Sequence, residues 1–288
     1  MKAVPPDRRF LQLSAGRGNL RMEQDFVSLE MESFSSRTGG NENTGLLKIL
    51  AVLFMITDHV GVAFFPQMIE LRIIGRIAMP LFAWCLCVGA EYTRNIWKYA
   101  LRLLLVGIIA QPCFMLGLNH EWRELNVYAT LLCGLLGIAA IREKRFGSQY
   151  WGPVLVILIS CLLKMDYGWQ GVAFIMLLYG CRKSRSSITA LMFAFCLYWG
   201  QGTYSIRSAF GIPAITEISF LPNAKRLLAD IARIEFWAIL ALPLMILPLK
   251  KNWKLPKWVW YSIYPVHLLI IGVIRHWDEI SGYISQWM

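Results

Sequence analysis

The sequence predicts an all-α fold, a polytopic membrane helix bundle of about nine transmembrane helices with its N-terminus inside, and three observations carry that expectation. Of the 288 residues, 57% are hydrophobic and only 16% charged, where ordinary globular chains carry about 25% charged residues. The apolar residues fall in runs close to the roughly twenty that a helix needs to cross a hydrocarbon core. Twenty of the 29 Lys and Arg fall in the N-terminal stretch and in alternate loops between those runs, as the positive-inside rule requires.

Residues 1–45 carry six basic and six acidic side chains and no apolar stretch long enough for a signal-peptide core. They read as a cytoplasmic leader, disordered or partly amphipathic. Leu20 to Phe34 has the pattern of a short amphipathic helix, and the Gly, Ser, Asn and Thr residues from Ser35 to Thr44 read as flexible. Residues 46–288 read as a single transmembrane domain, which supplies the whole net charge of +11.

Within that domain the apolar runs lie at about 46–65, 74–92, 99–118, 126–141, 150–164, 168–181, 187–200, 234–249 and 258–274. Between 201 and 233, Arg207, Pro213, Pro222, Lys225 and Arg226 make the chain too polar for a span, so this stretch reads as a long outer loop. Nine spans with the N-terminus inside put twenty of the 29 basic residues on the inner side. A basic balance that would suggest nucleic acid in a soluble protein is therefore absorbed by topology, and no nucleic-acid partner is expected. The seven cysteines (Cys85, Cys87, Cys113, Cys133, Cys161, Cys181, Cys196) all lie in apolar stretches, without a C-x-x-C pair or histidines at ligand spacing. They read as small hydrophobic fillers, with no metal site and no disulfide framework expected.

An ionisable side chain inside a span is costly, so each one is a functional candidate. Asp58 and His59 sit together in the outer half of the first run. Neighbours on a helix point about 100° apart, so each needs a partner from another helix. Arg76 opens the second run at the outer face, Gln111 lies in the outer half of the third, and Asn126 opens the fourth. Asp166 and Tyr167 occupy the turn between the fifth and sixth, with Gln170 just after, and His267 falls near the middle of the last. All converge on the outer half of the bundle, which predicts one polar chamber there. Plainer readings stand beside this one: a buried Asp58–Arg76 ion pair, His59 and His267 as core histidines bonded to backbone, Asn126 and Gln111 as helix–helix glue, and Glu91 facing water.

Histidine takes and gives protons near neutral pH, and a carboxylate beside it fixes its tautomer. No G-x-S-x-G elbow, Walker loop or dinucleotide fingerprint is present. Proton-assisted group transfer and proton-coupled transport are the chemistries left open.

Several strings carry a family resemblance. Leu47-Lys48-Ile49 leads to Met55-x-x-Asp58-His59-x-Gly61, followed by Leu71-Arg72-x-x-Gly75-Arg76-x-Ala78-x-Pro80-x-Phe82 and Tyr99-x-x-Arg102-Leu103. Later come Gln111-Pro112, Leu125-Asn126 before Thr130-Leu131, Asp166-Tyr167-Gly168 and Tyr264-Pro265-x-His267-Leu268. In this order they resemble the TraX family of bacterial membrane proteins, over about 46–274. The leader and the 201–233 stretch depart from the family pattern.

The resemblance implies a multi-pass acyltransferase of the bacterial cytoplasmic (inner) membrane. It would take an acetyl or acyl group from acetyl-CoA or another acyl-CoA and pass it to an amine or hydroxyl acceptor, a pilin N-terminus or another cell-surface molecule. On that implication His59 is the general base, and Asp58 or Asp166 orients or balances it. Arg76 and Asn126 stabilise the thioester oxyanion or position the acceptor, with Tyr167 and His267 also lining the substrate site. Arg94 and Arg102 at the inner mouth hold the CoA phosphates. A proton-coupled transporter using the same residues, and a non-enzymatic pilus assembly factor, are the rival readings; an internal repeat of the kind transporters show is not seen.

Overall fold

The structure is a computed structural model that describes residues 38–200, 206, 208–209, 212–213, 233–247, 249 and 256–277. Its helices are α1 (Thr44–Phe64), α2 (Ile69–Gly75), α3 (Ala78–Tyr92), α4 (Ile96–Leu118), α5 (Val127–Glu143), α6 (Ser148–Leu162), α7 (Gly168–Cys181) and α8 (Arg185–Gly200). A 3-10 helix over Ile234–Ala241 runs into α9 (Leu242–Ile246), and α10 (Lys257–Arg275) follows. Ser208–Ala209 pairs antiparallel with Ile212–Pro213. The rest of the expected 201–233 loop lies outside the described residues, as do residues 1–37 of the expected leader.

Each of the nine expected runs is helical among the described residues. Four helices are long and apolar enough to cross a membrane: Thr44–Phe64, Ile69–Tyr92, Ile96–Leu118 and Trp258–Arg275. The helices α5 to α8 have 17, 15, 14 and 16 residues, short of the roughly twenty of a full upright crossing. The composition supports a membrane protein, and length alone vouches for four crossings.

The combined α2–α3 segment is the centre of the bundle. Across its apolar window 83% is buried, against 33%, 22% and 28% for the other three long helices. Those three turn a broad hydrophobic face outward, where Leu53, Ile108, Ile109 and Ile270 are exposed. Trp84 of α3 is fully buried and its indole N–H donates to the carbonyl of Asn41 at 2.8 Å. Asn41 in turn donates its backbone N–H to Met245 (2.7 Å), and Gly39 donates to Arg182 (2.7 Å). From Thr38 onward the stretch read as flexible is thus pinned, because its backbone groups find carbonyls at the ends of α7 and α9. Glu91, expected to face water, instead accepts from Arg182 Nε at 2.9 Å and from the Tyr179 hydroxyl at 3.0 Å.

Two features position the polar chamber. Helices α4 and α10 pack along one another, with Gly117 so close that a Cβ there would stand 2.6 Å from the Leu268 carbonyl. Small residues allow such backbone approach between membrane helices, and here the approach carries His267 in over the bundle. The loops before α5 and α7 are joined by a parallel bridge at Leu125 and Met165. Leu125 donates to the Lys164 carbonyl (2.7 Å) and the Asp166 N–H returns to Leu125 (3.0 Å), fixing where Asp166 enters the site.

Candidate functional site

A cavity of about 690 Å³ opens among Asp58, His59, Arg72, Arg76, Asp166 and Glu235. Asp58 and His59 come from the C-terminal part of α1, and Arg72 and Arg76 stand four apart at the end of α2, the spacing that puts two side chains on one face. Asp166 and Tyr167 enter from the loop before α7, and Glu235 from the 3-10 helix.

Charge in the cavity is organised around Arg76. Its Nη2 donates to both oxygens of Asp58, at 2.9 and 3.1 Å, and its Nη1 donates to Glu235 Oε1 at 2.9 Å. Arg72 Nη1 adds a third bond to Asp58 at 3.2 Å. Buried charges persist only when paired and hydrogen-bonded, and this row of alternating charges meets that condition. Gly75 makes it possible: a Cβ there would overlap the Asp58 side chain. Arg76 Nε is buried without a hydrogen-bond partner among the described residues.

The expectation that Asp58 and His59 each need a partner from another helix describes their geometry. Asp58 is taken up by the two arginines, and His59 turns to α10. His59 Nδ1 lies 2.7 Å from His267 Nε2, while His267 Nδ1 lies 2.8 Å from the Ile263 carbonyl. A carbonyl only accepts, so His267 carries its proton on Nδ1. With neutral rings, His267 Nε2 then accepts from His59 Nδ1–H. The relay leaves the lone pair of His59 on Nε2, and His59 lines the cavity.

Asp166 is exposed to the cavity, whose protein walls displace bulk water and push its carboxyl up to about 6. Tyr167, beside it, is raised for the same reason. His120, from the loop after α4, also lines the cavity. Its Nδ1 meets Glu124 Oε2 at 2.7 Å and its ring stacks on Phe114 at 4.3 Å; this hydrogen bond holds the Glu124 carboxyl below its usual range.

The other sequence candidates lie elsewhere. Asn126 caps α5 by accepting from the Tyr128 N–H (2.9 Å) and gives its amide to Gly107 and Gln111, each at 2.8 Å. It borders a second, apolar cavity rather than the charged one. Arg102 lines a third cavity of about 260 Å³ together with Lys48, and its Nε is buried without a hydrogen-bond partner among the described residues. Arg94 is exposed and outside that lining. Sequence reasoning passed over Glu235, His120 and the site role of Arg72. A carboxylate opening an apolar run, as Glu235 does, was the available signal for the first.

Residues 43–275 match the family described as TraX protein. The chain belongs to the TraX family. Its strings around Asp58-His59 and Gly75-Arg76 thus fall inside the matched region, as do Asp166, Glu235 and His267. Among relatives, this TraX chain is 30% identical over 154 residues to an uncharacterised protein of Rickettsia prowazekii (strain Madrid E), covering 51% of the chain and 59% of the relative. It is also 30% identical over 146 residues to the probable fimbrial assembly protein FimC, serogroup H1, of Dichelobacter nodosus, covering 46% of the chain and 59% of the relative. The chain thus spans about three fifths of the length of each. No solved structure matches it.

Proposed function

We propose that this TraX protein is a multi-pass acyltransferase of the bacterial inner membrane, with nine crossings and its N-terminus inside, that moves an acetyl or acyl group from acyl-CoA to an acceptor held in the charged cavity. The observation that carries this reading is the His59–His267–Ile263 relay, which leaves an imidazole lone pair at a cavity that also holds two guanidiniums.

His59 Nε2 removes the proton from the acceptor N–H or O–H as that atom attacks the thioester carbonyl. The tetrahedral oxyanion is met by the spare Nε donor of Arg76. The C–S bond then breaks, and the imidazolium returns its proton to the departing CoA thiolate. Asp58, already holding Arg72 and Arg76, keeps the guanidiniums in place rather than orienting His59. The donor's phosphates belong with Lys48 and Arg102 at the smaller cavity. Lys48 and His59 are eleven residues apart on α1, about 16 Å along a helix, a distance an extended acyl-pantetheine arm bridges.

The printed name of the Dichelobacter relative supports a pilus-related role, so a pilin is one acceptor to try. The same name also supports assembly without chemistry. Purified protein with labelled acetyl-CoA and a pilin N-terminal peptide separates the two: transfer by the wild type and none by His59→Ala is expected, and equal transfer by both overturns the catalytic assignment.

A further inference from the structure

Beside the charged cavity lies a second one of about 980 Å³, bordered by α4 and α5. It is within the size of small-molecule sites, about 300–1,000 Å³, and its chemistry is the opposite of the first. Leu104, Ile108, Met115, Leu116 and Leu132 line it. The polar groups at its wall are already occupied: Gln111 donates to the Glu124 carbonyl at 2.6 Å and accepts from Asn126 at 2.8 Å. What the cavity offers is hydrocarbon.

Its lining reaches the outward face of α4, where Leu104 and Ile108 are 43% and 62% exposed on a helix long and apolar enough to cross a membrane. An occupant therefore enters sideways, from lipid. His120 borders both cavities, so the apolar space runs up to the charged one. The charged cavity sets three carboxylates, Asp58, Asp166 and Glu235, against two guanidiniums, Arg72 and Arg76. A cationic head completes that balance.

We infer that the two cavities together bind one amphiphile, a single hydrocarbon chain lying between α4 and α5 with a primary-amine head passing His120 toward Asp166. Naming this amine the acyl acceptor rests on the transfer reading above; the binding itself does not.

The full chain in lipid nanodiscs, irradiated with hexadecylamine carrying a mid-chain diazirine, tests the site without requiring turnover. Labelling is expected on peptides covering Leu104–Met115 and Ala129–Cys133. Ala129→Trp and Leu132→Phe, which fill the cavity, should each lower it about tenfold, equivalent to about 1.4 kcal/mol of binding, while Leu53→Trp on the outward face of α1 leaves it unchanged. Hexadecanoate with the same diazirine should label more weakly, and Asp166→Asn should narrow the difference. Labelling spread evenly over Leu53, Leu158 and α4, insensitive to the filling variants, overturns the site and leaves surrounding lipid only. A wild-type protein that takes up the amine as described yet transfers no acetyl group to it from acetyl-CoA overturns the transfer reading and leaves the binding site standing.

Discussion

His59 and His267 stand 208 positions apart in sequence and 2.7 Å apart in the fold, their ring planes within 6° of each other. The Ile263 carbonyl sets the proton on His267, and His267 sets the proton on His59. His59→Ala should therefore lower acyl transfer by about 10²- to 10⁴-fold, the usual contribution of a general base. His267→Ala acts through His59: kcat falls, KM for the acceptor holds, and the pH–rate profile shifts. His267→Gln, whose amide oxygen can accept from His59 Nδ1, should recover part of kcat. An unchanged pH profile in His267→Ala would remove it as a positioning residue.

Arg76 has 9% side-chain exposure and bonds two carboxylates that are each 12% exposed. Arg76→Met strands Glu235 and leaves Asp58 with Arg72 alone, and removing one partner of a buried pair costs about 3–5 kcal/mol. The thermal midpoint in detergent should drop sharply. Arg72, 25% exposed with one ion pair among the described residues, should give a smaller drop when replaced by Met. The triple replacement Asp58→Leu, Arg76→Met, Glu235→Leu should regain much of the midpoint while remaining inactive.

Gly75→Ala drives a methyl into Asp58. Overpacking of this kind costs about 1–3 kcal/mol, and here it also displaces the carboxylate that holds both arginines. A lower thermal midpoint together with lost transfer is expected; a midpoint equal to wild type would mean that α1 and α2 separate freely at this point.

Desolvation in the cavity raises the Asp166 carboxyl to about 6, above its unfolded value of about 3.9. A raised carboxyl binds more protons folded than unfolded, so its contribution to stability is greatest at low pH and declines as pH rises from about 4 to 6. Asp166→Asn should then raise the thermal midpoint more at pH 7.5 than at pH 5. If the carboxylate holds an amine head, binding of the alkyl amine should weaken below pH 6 in the wild type and not in the variant.

Trp122, 68% exposed in the loop after α4, is the place to test orientation, since Asn126 is buried as a helix cap. Trp122→Cys should react with an impermeant maleimide added outside intact spheroplasts. Reaction only after lysis would invert the topology.

The helices were legible because apolar runs set off by polar loops read as helices, and each of the nine runs is helical among the described residues. The convergence of Asp58, His59, Arg76 and Asp166 was legible too, since an ionisable group in an apolar run must find a partner. The pairings were not. Nothing local in sequence says that His59 turns to His267 while Asp58 turns to Arg72 and Arg76; that follows from the close approach of α4 and α10 at Gly117 and from the seat Gly75 leaves for Asp58. Asn126 answers to the plainer reading, glue between α4 and α5: an asparagine before an apolar run is first of all a helix cap, and its hydrogen bonds go to Tyr128, Gly107 and Gln111. Glu235 was overlooked because it sits at the very start of its run, where a carboxylate is commonplace.

The bridge between Leu125 and Met165 makes two distant connections behave as a single strap. Lengthening the chain between Asn119 and Glu124 leaves the strap intact, whereas an added residue between Leu125 and Val127, or between Lys164 and Asp166, slips it by one position and withdraws Asp166 from its station. Tolerance to insertion should therefore change abruptly within a few residues on this rim, and epitope tags belong on the near side of that border.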